Sequence, residues 1–241
     1  MIDFEKLAIF SLSKGKHESA AEGVCAMEAV AWLEGLEHTD APACTCPVIA
    51  AYVRVMNDKL SDMDRQRLVA YLPRLVGTVG DLEVAVERGL IFAQAAGEVF
   101  AAGSLRKIRA ENLAERVSDV FRRRDWENAR RAALDLNSAD LYPFLHFAAS
   151  VAGAASQIEF EVSTRNFYAA SEHASDSAFY SVEVSASGGA PVSAFLEVLD
   201  LALAHGPQSP LRFSQPMNAR VADYARLVGA EAEGALLSKI H

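Results

Sequence analysis

The residues best suited to chemistry lie close together near the start of the sequence. All three cysteines of the 241-residue chain fall between positions 25 and 46, and two histidines lie before or within that stretch. Thiolate sulfur and imidazole nitrogen are the donors that Zn²⁺ takes in tetrahedral structural sites. One interpretation is therefore a zinc site in which Cys25 binds the metal with two or three of the others. The candidate ligands are His17, Cys25, His38, Cys44 and Cys46.

The same stretch also has the residue types of a nucleophilic enzyme. Cys25 directly precedes the helical pattern AMEAVAWL, and the positive end of a helix dipole lowers the pKa of a thiol placed there. His38 or His17 could serve as the base, with Asp40 orienting it. Glu28, one turn into the helix, is the candidate general base of a thiol- or zinc-dependent hydrolase. The catalytic candidates are thus Cys25, Glu28, His38 and Asp40.

A structural role for the corner is the favoured interpretation. Cysteines are often small buried hydrophobes, and a histidine in a loop is often a surface residue. The zinc deaminase signature combines a His-x-Glu motif with a Pro-Cys-x-x-Cys motif. The chain has no His-x-Glu motif, and PACTC is not Pro-Cys-x-x-Cys, so a deaminase is excluded. Phosphate-binding loops, HExxH and GxSxG are also missing. We expect these cysteines and histidines to form a structural element, which we call the Cys/His corner. Its residue types could also bind zinc.

One long segment carries a resemblance. The stretch CAMEAVAWLEGLEHTDAPACTCPVIAAYVRVMNDKLSD, followed by LPRLVGT, resembles a group of uncharacterised helical proteins common in phages, actinobacteria and other bacteria. The group shares a Gly-x-Cys-x-x-Glu-Ala helix start, an Asp-x-Pro-x-Cys loop and a Pro-Arg-Leu-Val-Gly-Thr segment. The resemblance covers about the first third of the chain and implies no activity. The matching positions are Gly23, Cys25, Glu28, Ala29, Asp40, Pro42, Cys44 and 73–78.

A second candidate site is the basic segment FRRRDWENARR, in a chain whose formal net charge is −9. An anion or acidic partner could dock there, with the tryptophan stacking on a base or a guanidinium. Asp119, Asp125 and Glu127 intersperse with the arginines, which favours a solvated helix face, and the overall charge disfavours nucleic-acid binding. The candidates are Arg122, Arg123, Arg124, Trp126, Arg130 and Arg131.

The elements that must position these residues are mostly helices. Apolar residues make up 51% of the chain and charged residues 23%, which is ordinary globular composition. Helical periodicity predicts helices over 46–60, over 82–102 as the most buried one, and over 105–136 with Ser104 as its cap. Within 156–187, the segments IEFEV and YSVEVSA alternate between apolar and polar residues, as half-buried strands do. Helix is favoured because no strong turn signal separates the two segments.

We therefore expect an all-α fold, mostly a helical bundle, with 156–187 as the place for short strands if any form. The predicted organisation is a helical domain over 1–137 with the Cys/His corner, and a second helical portion over 138–241 packed on it, or one continuous domain.

The expected function is that of a macromolecule-binding accessory factor of a phage or bacterial host. The acidic N-terminus MIDFEKLAIF lacks the features of a secretory signal, and no apolar run approaches the length of a membrane span. We expect a cytoplasmic protein with a protein partner, a disfavoured nucleic-acid role and no membrane. The alternative is a cysteine- or zinc-dependent hydrolase centred on Cys25 and Glu28.

Overall fold

A computed structural model describes residues 7–136, 143–207 and 219–229. These residues form helices and no sheet, with a single parallel bridge between Leu12 and Val24, so the predicted all-α fold is confirmed. Where the chain is described, no helix has the length and apolar character needed to cross a membrane. The helices are α1 (Ala26–Glu34), α2 (Pro47–Lys59), α3 (Leu82–Ala95), α4 (Glu111–Arg122), α5 (Trp126–Leu136), α6 (Pro143–Ser163), α7 (Phe167–Ser187), α8 (Val192–Ala204) and α9 (219–229).

Local sequence sets the ends of the first two helices. Gly35 ends α1 in the left-handed conformation, at φ 69°, which a residue without Cβ adopts at little cost. Pro47 begins α2 at a first-turn position, where its missing N–H would have no partner. Short helical turns (Asp62–Arg65, Gln66–Tyr71 and Leu72–Leu75) then lead to α3. Two loops connect these elements: 35–46 joins α1 to α2, and 76–81 joins the last short turn to α3.

The prediction that 82–102 is the most buried helix is wrong, because α1 buries seven of its nine residues, a larger share. The helix predicted over 82–102 is itself confirmed. It continues beyond α3 through a π-helical turn (Ala96–Ala101) and a last segment (Ala102–Lys107). Gly89 lies so close to α7 that an added Cβ would be 2.4 Å from Cβ of Ala174. Gly97 lies in the π-helical turn, and an added Cβ there would be 1.9 Å from the ring of Phe121. These contacts explain why small residues occupy this helix.

The prediction of one helix over 105–136, capped by Ser104, is wrong. Ser104 is buried inside the preceding helical segment, and its hydroxyl donates to the carbonyl of Phe100 at 2.8 Å. The predicted helix is interrupted twice, where Arg109 and Arg124 take positive φ values of 61° and 54°. Neither break contains glycine or proline, and arginine seldom adopts this conformation, so the sequence offered no turn pattern to detect.

The helical interpretation of 156–187 is confirmed. The two alternating segments lie in α6 and α7, whose junction contains Arg165 at φ 61°. The alternation was misleading because both helices bury alanine, and α7 also buries serine, on their inward faces. One continuous cluster of buried apolar residues includes members from α1 through α9.

A buried arginine joins α3 to the end of α8. Arg88 is 0% exposed, and its guanidinium donates to backbone carbonyls only. Its Nε lies 3.0 Å from the carbonyl oxygen of His205, its Nη2 lies 3.1 Å from that of Pro207, and its Nη1 contacts that of Thr78. No described carboxylate pairs with it. The carbonyls at the C-terminal end of α8 therefore supply the negative pole that this cation needs.

Candidate functional site

Glu28 is the centre of the polar network in the corner. It is 0% exposed, and it forms a capping box at the start of α1. Its Oε2 accepts the backbone N–H of Cys25 at 2.8 Å, while the Cys25 sulfur accepts the N–H of Glu28 at 3.5 Å. Because Glu28 is the third residue of the helix, its charge also faces the positive end of the helix dipole.

The same carboxylate fixes His17 at two points. Oε1 of Glu28 accepts the backbone N–H of His17 at 2.8 Å, and Oε2 lies 2.8 Å from its Nδ1. Burial acts to raise the pKa of Glu28, but the hydrogen bonds from His17 and Cys25 outweigh it and hold that pKa below its ordinary value. Glu28 is thus ionised at neutral pH, so Nδ1 of His17 carries the proton that faces it.

The other nitrogen of His17 faces a serine hydroxyl. Nε2 lies 2.8 Å from Oγ of Ser13. Since Nδ1 carries the proton in the neutral ring, Nε2 is the acceptor and the hydroxyl is the donor. Ser13 Oγ, His17 and Glu28 therefore form one hydrogen-bonded chain of a hydroxyl, an imidazole and a carboxylate. We call Ser13, His17 and Glu28 the triad.

Sequence reasoning missed Ser13. It lies in the segment SLSKGKH, four residues before His17, and serine at that spacing in a loop has no diagnostic value. The bridge between Leu12 and Val24 places it, because the backbone N–H of Ser13 donates to the carbonyl of Val24 at 2.9 Å. That contact brings the chain before α1 alongside the start of α1.

A glycine lies against the serine and histidine pair. Gly23 has φ 142°, and an added Cβ would be 2.8 Å from Oγ of Ser13 and 3.1 Å from Nε2 of His17. The pair is only partly covered: the side chain of His17 is 13% exposed and Ser13 is half-buried. The Gly-x-Cys-x-x-Glu start of α1 thus supplies the small residue beside the pair, the cap and the carboxylate.

His38 supports the histidine from the other side. Its Nε2 lies 3.0 Å from the backbone carbonyl oxygen of His17 and 3.6 Å from Oε1 of Glu28. Asp40, the orienting residue that the sequence predicted, forms no hydrogen bond to either histidine; its carbonyl oxygen accepts Nη1 of Arg54 at 3.1 Å. Glu28 therefore has the position that the sequence assigned to Asp40.

Cys25 differs from the activated thiol that the sequence predicted. It is 3% exposed, and burial raises the pKa of its thiol to about 12. The nearby charge of Glu28 also raises this pKa, whereas the backbone N–H donors lower it. The prediction of a lowered pKa is wrong because loss of hydration outweighs the helix dipole. Cys25 is a neutral capping residue at physiological pH.

This burial predicts the order in which the thiols react. Cys44 is half-buried, whereas Cys25 and Cys46 are buried, so we expect Cys44 to react first with iodoacetamide at pH 8. Burial raises the pKa of Cys44 as well, and its reaction will be slower than that of a free thiol. Mass spectrometry of the labelled peptides measures the order, with a Cys44→Ala variant as the control. Labelling of Cys25 as fast as Cys44 would contradict this assignment.

The other two cysteines hold the loop before α2 against the segment 75–78. The backbone N–H of Cys46 donates to Oγ1 of Thr78 at 3.0 Å, and the carbonyl of Cys44 accepts the N–H of Gly77 at 2.8 Å. In the described part of the chain, no three His, Cys, Asp or Glu side chains are grouped so that they could hold a metal ion. The five predicted zinc ligands are thus not brought together as one set.

A solvent-open groove of about 440 Å³ lies beside the loop that carries Ser13 and His17, but none of Ser13, His17 and Glu28 lines it. Gly15 and Lys16, which connect Ser13 to His17, form part of its wall. The loop is held on α2, because Asp58 accepts the N–H of Gly15 at 2.8 Å and the amide of Asn57 donates to the carbonyl of Ser13 at 2.9 Å. The groove is lined by Gly15, Lys16, Cys25, Asp40, Ala51, Arg54, Val55, Asp58, Lys59, Phe179 and Glu183.

The predicted anion site is largely neutralised by ion pairs. Trp126 is 2% exposed and donates its Nε1–H to Glu159 at 2.9 Å, so its ring is not available for stacking. Arg130 is exposed beside Gly153. The remaining arginines each pair with a carboxylate: Arg122 with Glu98, Arg123 with Asp119, Arg124 with Glu87 and Arg131 with Glu127.

Comparison with known proteins adds no further constraint. No family model, no curated protein and no solved structure matches the chain. The chemistry of the site is therefore argued from its geometry.

Proposed function

We propose that the protein is a hydrolase that transfers an acyl group to water by way of Ser13. The observation that supports this is the continuous chain of 2.8 Å contacts from Oγ of Ser13 through His17 to Glu28. The proposal keeps the nucleophile, imidazole and carboxylate chemistry that the sequence suggested for Cys25, but assigns it to a half-buried hydroxyl instead of a buried neutral thiol.

In the first step, Oγ of Ser13 attacks the carbonyl carbon of an ester, thioester or amide while its proton passes to Nε2 of His17. The carbon–oxygen bond to serine forms, and the carbonyl oxygen becomes an anion. Collapse of this intermediate breaks the bond to the leaving group, which takes the proton from Nε2. Water then attacks the acyl-serine through the same two proton transfers, which releases the acid and restores the Ser13 hydroxyl.

Glu28 acts as a positioning residue throughout. Its ionised carboxylate keeps the proton of the neutral ring on Nδ1, and it stabilises the imidazolium that forms after proton transfer. The developing oxyanion needs N–H donors close to the nucleophile. The backbone N–H of Lys14, the residue after the nucleophile, donates to no group in the described part of the chain, and this is the usual position of one such donor.

A matched pair of serine variants tests the proposal. We expect the wild-type protein to hydrolyse p-nitrophenyl butyrate. Ser13→Ala has no hydroxyl to form the acyl-serine and should lose at least about 100-fold in kcat/KM. Ser11→Ala, an exposed serine two residues away, should retain the wild-type rate. Release of nitrophenolate, corrected for the rate in buffer, is the measurement.

Two results would overturn the assignment. One is wild-type turnover no faster than that of Ser13→Ala, and the other is loss of turnover in Cys25→Ala with Ser13→Ala unaffected. Circular dichroism of each variant separates loss of chemistry from loss of folding. In the first case, the macromolecule-binding role expected from the sequence becomes the leading proposal for the chain.

A further inference from the structure

The loop that carries the proposed nucleophile is held largely by side chains. Gln66 binds both backbone groups of Leu12: its Oε1 accepts the N–H at 2.9 Å, and its Nε2 donates to the carbonyl at 2.8 Å. Oδ1 of Asp58 accepts the N–H of Gly15 at 2.8 Å. The residues on both sides of Ser13 are thereby fixed to α2 and to the short helical turns that follow it.

Asn57 of α2 makes the contact to the backbone of Ser13 itself. It is 1% exposed. Its Nδ2 donates to the carbonyl of Ser13 at 2.9 Å and to Oδ1 of Asp58 at 3.1 Å, and its Oδ1 accepts the N–H of Ala26 at 3.2 Å. Because two acceptors face the nitrogen and one donor faces the oxygen, the amide can take only one orientation.

The same amide reaches the helix that carries the carboxylate of the site. Ala26 is the first residue of α1, two residues before Glu28. Glu28 in turn fixes both the backbone N–H and the ring of His17. Asn57 therefore joins the backbone of Ser13 to the segment that places the imidazole. The 2.8 Å distance between Oγ of Ser13 and Nε2 of His17 depends on how these two segments are placed.

We propose that Asn57 is a positioning residue of the hydrolase, which sets the Ser13 hydroxyl against Nε2 of His17, and that Gln66 supports it by holding Leu12. In the described part of the chain, neither amide is hydrogen-bonded to the reacting atoms, so both act through the backbone of the loop. A displacement of about 1 Å in a reacting group can cost about 100-fold in rate. The inference rests on the proposed function, because it concerns the geometry of the same site.

Asn57→Asp tests the inference with a small change of shape. The new carboxylate still accepts the N–H of Ala26, but it has no N–H to donate to the carbonyl of Ser13. We expect kcat on p-nitrophenyl butyrate to fall by about 10- to 100-fold, while KM stays close to that of the wild type. Asn166→Asp is the matched control, since Asn166 is exposed and the substitution keeps its capping oxygen. It should retain both wild-type values.

Gln66→Glu is the second variant, and it decides the inference if Asn57→Asp does not fold. Gln66 is half-buried, and the substitution keeps the acceptor for the N–H of Leu12 but removes the donor to its carbonyl. We expect kcat to fall by about 3- to 10-fold, as for one lost neutral hydrogen bond. Circular dichroism shows which variants are folded. Wild-type kcat in either folded variant would overturn the inference, and Ser13-dependent turnover would then leave the proposed hydrolase standing.

A nitrogen NMR spectrum of the His17 ring decides the inference even when no turnover is seen. The chemical shift of Nε2 reports whether it accepts a hydrogen bond, so Ser13→Ala supplies the value for the unbonded ring. At pH 8, we expect Asn57→Asp to show that value and Asn166→Asp to show the wild-type value.

A double variant separates positioning from a general structural effect. In a Ser13→Ala background, Asn57→Asp should leave the Nε2 shift unchanged, because Asn57 acts on the ring only through Ser13. A wild-type Nε2 shift in folded Asn57→Asp, or a further change in the double variant, would contradict the inference. The expected shifts in a protein that hydrolyses no ester would support the positioning role and overturn the proposed hydrolase.

Discussion

Glu28→Gln is expected to lower the free energy of unfolding by about 3 kcal/mol and to abolish turnover. The carboxylate accepts the N–H groups of His17 and Cys25 and the Nδ1–H of His17, and hydrogen bonds to a buried charge contribute about 1.5–3 kcal/mol each. Glutamine keeps one oxygen but turns an NH₂ group toward the remaining donors. The imidazole then loses its fixed orientation, so the loss of activity does not depend on unfolding.

The same variant is expected to be less sensitive to acid. The pKa of Glu28 is lower in the folded protein than its ordinary value of 4.5, so the unfolded chain binds its proton first as pH falls. The stability that Glu28 contributes is therefore complete above about pH 5 and is lost as pH falls below 4.5 toward the folded pKa. Glu28→Gln lacks this component, so the wild type loses more of its stability than the variant over this range.

Urea unfolding at pH 7 and at pH 4 measures both effects. Glu34→Gln is the matched control because Glu34 is exposed on the same helix. We expect that control to remain within about 0.5 kcal/mol of the wild type, as for an ordinary surface change. A Glu28→Gln protein as stable as the control would show that the carboxylate does not organise the corner.

Arg88→Met is expected to lower the free energy of unfolding by about 3 kcal/mol, because buried carbonyls lose a charged donor and each unsatisfied group costs about 1–3 kcal/mol. The sum over all the carbonyls would be larger, but methionine also removes the cost of burying a guanidinium without a carboxylate partner. The variant should therefore unfold from the junction between α8 and the loop at Thr78.

Thermal unfolding gives the size of the effect. For a chain of this length, about 3 kcal/mol corresponds to a melting temperature lower by about 6–12 °C. Arg88→Lys should be no better than Arg88→Met, since an ammonium retains the buried charge but lacks the planar set of donors. Arg67→Met, an exposed arginine, is the control. A melting temperature for Arg88→Met within about 2 °C of that control would contradict this role.

Much of the fold could be predicted because most of the helices follow local rules. Pro47 and Gly35 lie where helix starts and ends favour them, and apolar periodicity identified α3. The breaks at Arg109 and Arg124 could not be predicted, because neither contains the glycine or proline that usually marks a turn. Trp126 is a similar case: the charged residues around it predict exposure, but its ring is buried in the bundle.

The candidate site could be predicted in part. Glu28 and His17 were among the predicted site residues, since carboxylate and imidazole groups near a helix start are recognisable. Ser13 could not be found because a backbone bridge, and not a sequence motif, brings it to His17. Cys25 was assigned the wrong chemistry because a sequence shows its position at a helix start but not the burial that raises its pKa to about 12.

Covalent labelling of Ser13 tests the central claim most directly. Intact protein is incubated with a fluorophosphonate, which phosphonylates a serine only when a base activates its hydroxyl, and the modified peptide is identified by mass spectrometry. We expect one adduct, on Ser13, in the wild type and in Ser11→Ala, and none in Ser13→Ala or in heat-unfolded protein. Unlabelled wild-type protein, or an adduct at another residue that persists in Ser13→Ala, would contradict the assignment of Ser13, His17 and Glu28 as a catalytic site.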